Sequence, residues 1–433
     1  MNRKKRVLIF PCGSEVGLEI WNSLKWSTHF ELFGGSSVAD HGKFVFSNYN
    51  QNFPFIDKPE FIPYLKSYLR KEQIDFIFPA HDSVVLKVSQ ESDNLPVKII
   101  GSPKITCEIC RSKRSTYEFF NNFLRVPHLY LKTSKIEYPV FLKPEVGQGS
   151  KGTHLAKNRR DIDFYLNLDS SLLILEYLPG KEYTVDCFTD KKGVLRYAAG
   201  RERVRINNGI SVNSKFINEK QNMFFSEMAK IINSKLRFRG AWFFQVKKSF
   251  NKELVLMEIA PRIAGTMGIN RGRGINLPLL SLFDAMDMDV EIPKPRLNVE
   301  VDRALVSRYK VGLDYNKVYI DLDDTLVRDN QVNSLMMAFV FQCLNRKIKI
   351  ILITRHGAKE NDNTGKFLSN FRLKQLFTEI IEVPNRSSKH EFINPEKSIF
   401  IDDSFIERNV VFLNLGIPVF DTHSIEVLLD NRS

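Results

Sequence analysis

The sequence predicts a multidomain chain with α/β parts at both ends and an α+β part between them. Three observations lead there. At 433 residues the chain exceeds one ordinary hydrophobic core, so two or three are expected. Residues 1–105 and 316–433 alternate short apolar runs with helix-like segments, as parallel βαβ sheets do. Between them, across 106–312, strand-like runs follow one another through turns, with helices set at intervals.

The elements follow in order. "RVLIF" (6–10) is a short buried strand, and "PCGSEVGLEIWNSLK" is a turn leading into a helix, without the G-x-G-x-x-G of a dinucleotide site. "FELFGGSS", "DFIFPAHD" and "VKIIGSP" are further strands, with the helical "PEFIPYLKSYLRKEQ" among them. From 106 the pattern changes: "EICRSKRSTYEFFNNFL" reads as one helix. Strands follow at "VPHLYL", "YPVFLKP", "THLAKN", "LLILEYLPG", "EYTVDCFTD" and "VLRYAAGRER". "NMFFSEMAKIINSKL" is a helix, and "GAWFFQVKKSF" with "ELVLMEIAPR" forms a hairpin about "SFNK". "NKVYIDLDDTLV" (316–327) opens the last part, with a strand that ends on carboxylates. The helix "VNSLMMAFVFQCLNRK" and the strands "IKIILITR", "EIIEVP" and "SIFIDDS" complete it. Chemistry in such sheets lies at the carboxyl ends of the strands.

Composition narrows the function classes. Hydrophobic residues make up 43% and charged residues 26%, as in a folded globular chain. The net charge of +13 admits anionic partners, but the basic residues form no dominant run and no zinc-finger or aromatic RNA-binding spacing appears, so nucleic acid is not expected. "NRKKR" at 2–6 reads as a solvated terminus. No stretch of 18 apolar residues exists, so no membrane partner is expected. Five cysteines and no secretory h-region point to reduced thiols and a cytoplasmic location. Cys107 and Cys110 form a single C-x-x-C in a helical context and read as packing rather than metal or redox chemistry.

"FLKPEVGQGSKG" (141–152) puts a lysine on the strand that enters a glycine-rich loop, the reverse of a P-loop. Glycines at 147, 149 and 152 would let backbone N–H groups approach an anion. "LILEYLPGKEYTVD" carries Glu176 at a strand end and Glu182 beyond a glycine, and "FFQVKKSFNKELVLMEIAPR" carries Gln245, Glu258 and Arg262. Taken singly, each is an ordinary surface residue. In this order and spacing they resemble the ATP-grasp superfamily, in particular its carboxylate–amine ligase and carbamoyl-phosphate-synthase-like branches, over about residues 1–312. The resemblance implies a pre-ATP-grasp Rossmann-like domain at 1–105 and an ATP-grasp domain at 106–312. It further implies that Lys113 and Lys143 neutralise a triphosphate under a loop containing Gly147 and Gly149. Lys151, in the loop, fits a solvated role as well. Glu176, Tyr177 and Leu178 match an adenine hinge, with the carboxylate accepting from the amino group, and Glu182 matches a ribose-binding position. Gln245 and Glu258 match Mg²⁺ ligands, with Mn²⁺ as a substitute, and Arg262 a contact to phosphate or acyl phosphate. One departure stands out: the family pattern Glu-x-Asn-x-Arg reads "EIAPR" here, and Ala260 cannot ligate a metal. The implied reaction is phosphorylation of a small-molecule carboxylate and attack by an amine, with ADP and phosphate released. Arg201, Arg203 and Arg205 alternate on a strand and are expected on one face, as a clamp for an anionic acceptor or as a solvated surface.

"DLDDTLV" resembles the signature of the haloacid dehalogenase (HAD) superfamily, over about 316–433, and implies a Rossmann-like capless phosphatase domain. By that resemblance Asp321 is a nucleophile that forms an aspartyl phosphate and Asp323 a general acid and base. Thr354 binds a phosphoryl oxygen and Lys389 neutralises charge, with Lys397 nearby as a rival. Asp402 and Asp403 hold Mg²⁺ with Asp321, and Asp323 is counted among the metal residues; Asp324 reads as a structural neighbour. Thirty-three residues separate Asp321 from Thr354, too few for a cap domain. The whole chain therefore reads as a bifunctional enzyme, a ligase fused to a phosphatase that acts on a phosphorylated small molecule; a homodimer is compatible with it. Two other readings are a non-catalytic docking role for the last domain and a nucleic-acid end-processing phosphatase.

Overall fold

The structure is a computed structural model that describes residues 3–132, 135–147, 149–293, 297–356, 363–430 and 432. Contacts divide the chain into two compact units, the division falling between Leu305 and Val306. Among the described residues no helix is long and apolar enough to cross a membrane.

The larger unit opens with a five-stranded parallel sheet in the order Asn48–Asn50, Phe30–Gly35, Lys5–Phe10, Phe76–Pro79, Lys98–Ile99. Val7, Leu8 and Ile9 are wholly buried, as expected of a strand covered on both faces. Strand order reverses between Lys5–Phe10 and Phe76–Pro79, so a crevice lies beyond their carboxyl ends. Two helices start there. Ser14 caps Glu15–Leu24 by accepting from Gly17 N–H, and His81 caps Asp82–Gln90 by accepting from Ser83 N–H.

Two antiparallel sheets follow. The smaller has the order Leu129–Tyr130, Leu172–Glu176, Val140–Pro144, His154–Ala156. The larger has the order Leu254–Ala260, Gly240–Lys248, Glu182–Thr189, Leu195–Asn207, Ile210–Phe216, Glu300–Asp302. Helix Glu219–Lys235 covers one face, burying Phe225, Ala229 and Ile232 in a cluster with Trp242 and Phe244.

Two expectations change. The single helix expected near 108–124 is two, Lys104–Arg111 and Lys113–Phe120, because Ser112 is extended and its hydroxyl caps the second by accepting from Ser115 N–H. "GRERVRINNGIS" is the turn of a long hairpin, Leu195–Asn207 with Ile210–Phe216. Its register slips on either side of Arg205, so the three arginines do not form one row. Arg201 is instead a core residue, bidentate on the buried Asp186, while Arg205 is exposed on Asp302.

The smaller unit is a parallel sheet in the order Glu379–Glu382, Lys349–Thr354, Lys317–Ile320, Ser398–Ile401, Val419–Phe420. Helices Ser334–Asn345 and Phe405–Leu415 accompany it. Its core joins Val318, Ile320, Ile350, Leu352, Ile399 and Ile401 to Phe339 and Val340. Leu313 and Tyr315, upstream of the expected start at 316, pack against that core.

Candidate active sites

The larger unit contains a cleft of about 1040 Å³, lined from all three of its sheets. Every ligase-site residue expected from the sequence is on its wall: Lys113, Lys143, Gly147, Gly149, Glu176, Tyr177, Leu178, Glu182, Gln245, Glu258 and Arg262.

Lys143 stands on strand Val140–Pro144 and is 6% exposed, with Nζ 5.5 Å from the Tyr117 ring centroid. Burial, and then the Lys113 charge, lower its pKa to about 7, against the pull of Glu258 and Glu182. Lys113 begins a helix and donates to the carbonyls of Glu145 and Gly147, at 3.4 and 3.3 Å. Burial lowers its pKa too, with Glu258 acting in the opposite sense. Two lysines facing one cleft repel, which is costly until an anion comes between them. The glycine loop reaches the hairpin turn of the larger sheet. A Cβ on Gly209 would lie 2.4 Å from the Gly149 carbonyl carbon, and Gly209 has φ +74°. That approach requires glycine.

Gln245 and Glu258 are register partners on adjacent strands. Arg203 spans Glu182 and Gln245: its Nη1 donates to Glu182 Oε1 at 2.5 Å and to Gln245 Oε1 at 2.7 Å. Its Nη2 donates to the Gly209 carbonyl at 2.7 Å, and its buried Nε has no partner. Two of the expected site residues are partly committed to neighbours. Glu176 Oε2 is held by Arg125 at 2.6 Å and by His128 N–H at 3.1 Å, so one of the two carboxylate oxygens is committed to neighbours. Arg262 is bidentate on Asp82, at 2.7 Å on each oxygen, and donates to the Ile263 carbonyl, which leaves two of its five N–H bonds for a ligand. For Arg203 the sequence leaves open an acceptor clamp or a solvated surface; its place beside Gln245 depends on sheet pairing, which the sequence does not display.

In the smaller unit Asp321, Thr354 and Asp402 sit at or just past the carboxyl ends of three adjacent strands. Lys389 is buried and donates to Asp321 Oδ1 and Asp402 Oδ2, each at 2.6 Å. Ligand oxygens of Asp321, Asp402 and Asp403 lie within 4.8 Å of one another. Asp403 accepts from Thr325 Oγ1 at 3.2 Å, and Asp402 accepts from Ser404 N–H at 2.8 Å. One lysine shared by two buried carboxylates leaves excess negative charge. Burial, then Asp402, raises the Asp321 pKa despite Lys389; burial likewise raises that of Asp402. Lys389 itself is raised, because the two carboxylates outweigh the effect of burial. Its rival Lys397 is exposed and pairs with Asp314.

Asp323 is not part of that cluster. Its carboxylate is exposed and turned to His356, whose Nδ1 lies 2.8 Å from Oδ1. His356 also donates its backbone N–H to Thr354 Oγ1 at 3.0 Å. Nothing in the sequence reading pointed to His356. Its position two residues past the strand-end Thr354 was the available signal. Cys107 and Cys110, the C-x-x-C pair, are free thiols in helix Lys104–Arg111, pushed up by burial.

Comparisons with known proteins bear on the larger unit. Residues 169–305 match a family described as ATP-grasp in the biosynthetic pathway with Ter operon. A 2-oxoglutarate carboxylase biotin carboxylase domain from Hydrogenobacter thermophilus, solved as a dimer with MgADP and bicarbonate, superposes with a TM-score of 0.57 at 14% identity, over 68% of this chain and 72% of that one. The larger unit has the ATP-grasp fold. N5-carboxyaminoimidazole ribonucleotide synthetase from Thermotoga maritima gives 0.53 at 18% identity, over 69% and 80%. An L-amino acid ligase from Bacillus licheniformis gives 0.53 at 14%, over 66% and 75%. Among curated proteins, D-alanine--D-alanine ligase from Thermotoga petrophila is 27% identical over 110 residues, 23% of this chain and 36% of that protein. The arginine-specific carbamoyl phosphate synthase large chain of Bacillus subtilis is 22% identical over 233 residues, 49% of this chain and 22% of that protein. The chain thus spans about a third of the length of the first of these curated relatives. In the ATP-grasp unit the cleft lies between the two antiparallel sheets, with the crevice of the parallel sheet opening into it.

Proposed function

We propose that the ATP-grasp unit is an ATP-dependent ligase that joins a small-molecule carboxylate to an amine, and that the smaller unit is a HAD-type phosphatase. The observation that carries the first half is the single cleft. It gathers the buried Lys143, the half-buried Lys113, a glycine loop, the Glu176–Leu178 hinge and the Gln245–Glu258 pair. A triphosphate fits this set. It would come between Lys113 and Lys143, whose mutual repulsion it relieves, and would give the orphaned Arg203 Nε an acceptor. A divalent ion would be held by Glu258 and Gln245 and would screen the phosphate oxygens. The backbone of Glu176–Leu178 would read the adenine edge, and Glu182 the ribose.

In the reaction the carboxylate oxygen attacks the γ-phosphorus and ADP leaves. The amine then attacks the acyl carbon of the acyl phosphate, and phosphate leaves with the C–O electron pair. The two uncommitted N–H bonds of Arg262, a residue of the cleft wall, would be available to the acyl phosphate. The relatives named D-alanine--D-alanine ligase and L-amino acid ligase support a carboxylate–amine pair of substrates. A screen of such pairs with ATP tests the reading. ADP with phosphate is expected; AMP with pyrophosphate would overturn it.

For the smaller unit the supporting observation is the cluster at the strand ends. Asp321 is the nucleophile on phosphorus and Asp323 the acid that protonates the leaving oxygen. Thr354 binds a phosphoryl oxygen and Lys389 neutralises charge on it. Asp321, Asp402 and Asp403 form an all-oxygen set suited to Mg²⁺, which would screen the dianion from the attacking carboxylate. Side chains this committed to one another favour a working site over a docking module. The nucleic-acid reading loses its support from charge: residues 306–432 carry 17 basic and 17 acidic side chains, so the +13 surplus lies outside this unit.

A further inference from the structure

The face of the large antiparallel sheet that looks into the cleft is short of oxygen ligands for cations. Side chains alternate along strands, so Glu258 shares its face with Ala260, and Gln245 with Phe243 and Lys247. Two of those neighbours are apolar and one is a cation. The next strand contributes Glu182, Thr184 and Asp186 to the same rows. Asp186 is wholly buried, bidentate to Arg201 and bonded to Asn270 Nδ2 at 2.9 Å. Glu182 is taken by Arg203. Among the described residues, then, Glu258 is the carboxylate of this face not committed to a guanidinium, and Gln245 adds one amide oxygen, which accepts from Arg203 and keeps a second lone pair for an ion. Mg²⁺ needs one or two such groups and completes its octahedron with water and phosphate. Two ions would need more.

Arg203 bridges Glu182 and Gln245 on this face. Its Nη1 touches both Glu182 and Gln245, its Nη2 is pinned to the Gly209 carbonyl, and its buried Nε has no partner; the residue is part of the cleft wall. A guanidinium held by three acceptors, with two of its five N–H bonds uncommitted, is a fixed positive charge on the cleft wall.

We propose that this cleft works with one divalent cation, held by Glu258 and Gln245, and that Arg203 supplies beside it the positive charge a second cation would give. The proposal rests on the ligase reading above. Neutralisation of the triphosphate is then shared between one exchangeable ion and one permanent organic cation. Arg203 also ties the charge to the hairpin turn against which the glycine loop packs.

The test counts Mn²⁺ by electron paramagnetic resonance on the full chain, with and without a non-hydrolysable ATP analogue. The difference isolates nucleotide-dependent ions from any held by Asp321, Asp402 and Asp403. One nucleotide-dependent Mn²⁺ per chain is expected. In Arg203→Ala, analogue affinity at low Mn²⁺ should fall about tenfold or more, and higher Mn²⁺ should recover part of it. Arg203→Lys, which keeps the charge, should lose less. Two nucleotide-dependent Mn²⁺ in the wild type would overturn the proposal while leaving the ligase reading standing, and so would an Arg203→Ala affinity equal to wild type. No analogue binding at any Mn²⁺ concentration would remove the ligase reading, and this proposal with it.

Discussion

Lys143 is a residue whose ordinary chemistry the fold alters strongly. Burial beside Lys113 brings its pKa down to about 7, against 10.5 for a free lysine side chain. In the folded chain it has lost its proton across the window from about 7 to 10.5, whereas the unfolded chain still carries it. The contribution of Lys143 to stability should therefore rise with pH through that window, and the cost of burying its charge should be felt in full below it. Urea unfolding from pH 6.5 to 9.5, compared with Lys143→Met, checks this; equal slopes in the two proteins would refute it. A bound triphosphate should restore the proton, so nucleotide binding at pH 8 should take up protons. Calorimetry in two buffers of different ionisation enthalpy would show the uptake, and Lys143→Ala should lose it together with ligase turnover. At the other site Asp321 and Asp323 differ by position, not by type. Asp321 lies under Lys389, while Asp323 is exposed beside His356. Asp321→Asn should abolish phosphatase turnover and binding of beryllium fluoride, which mimics an aspartyl phosphate. Asp323→Asn should still bind it but turn over about 10²–10⁴-fold more slowly. Equal binding by both variants would show that Asp321 is not the nucleophile.

The helix break at Ser112 shows how an element serves the cleft. Ser112 accepts from Ser115 N–H and donates to Glu145 Oε1 at 2.5 Å, which sets Lys113 at the first turn, facing the glycine loop. Ser112→Ala should cost about 1 kcal/mol as a lost cap. It should also raise the KM for ATP, since Lys113 loses its anchor; an unchanged KM with lowered Tm would confine Ser112 to stability. This break was not legible in the sequence, because "CRSKRS" continues a helical pattern and a cap inside such a pattern looks like one more polar residue. Strands buried on both faces, such as "RVLIF", "KIILIT" and "SIFI", were legible, because their apolar runs are short and bounded by turn residues. The hairpin turn at 207–210 was not, since its flanks are basic and polar and its role comes from contact with a loop far away in sequence. The same division holds for the sites. Strand-end carboxylates and lysines could be picked out by position. Their partners could not: Arg125 for Glu176, Asp82 for Arg262 and His356 for Asp323 come from other elements and are brought in only by packing.

On the scale of the whole chain, charge and contacts divide at nearly one place. The smaller unit is electrically balanced, and the basic surplus belongs to the residues before it. The contact division falls between Leu305 and Val306, so the stretch 306–315 lies ahead of the start at 316 expected from the sequence. That stretch is tied to the smaller unit. The Tyr309 hydroxyl bonds Glu426 at 2.9 Å, Asp314 pairs with Lys397 at 2.7 Å, and Leu313 and Tyr315 pack on the core. A fragment beginning at Val306 should therefore fold alone and hydrolyse p-nitrophenyl phosphate when Mg²⁺ is added. A fragment beginning at Asn316 lacks two apolar side chains of that packing. Each is partly buried, so together they should cost about 2 kcal/mol, at roughly 25 cal/mol per Å² of apolar surface. The longer fragment should then show the higher Tm, with similar turnover per folded molecule. If the two melt at the same temperature, the stretch before 316 is a linker and not part of the fold. If the longer fragment folds and binds Mg²⁺ but hydrolyses nothing, the docking reading of this unit returns in place of the phosphatase.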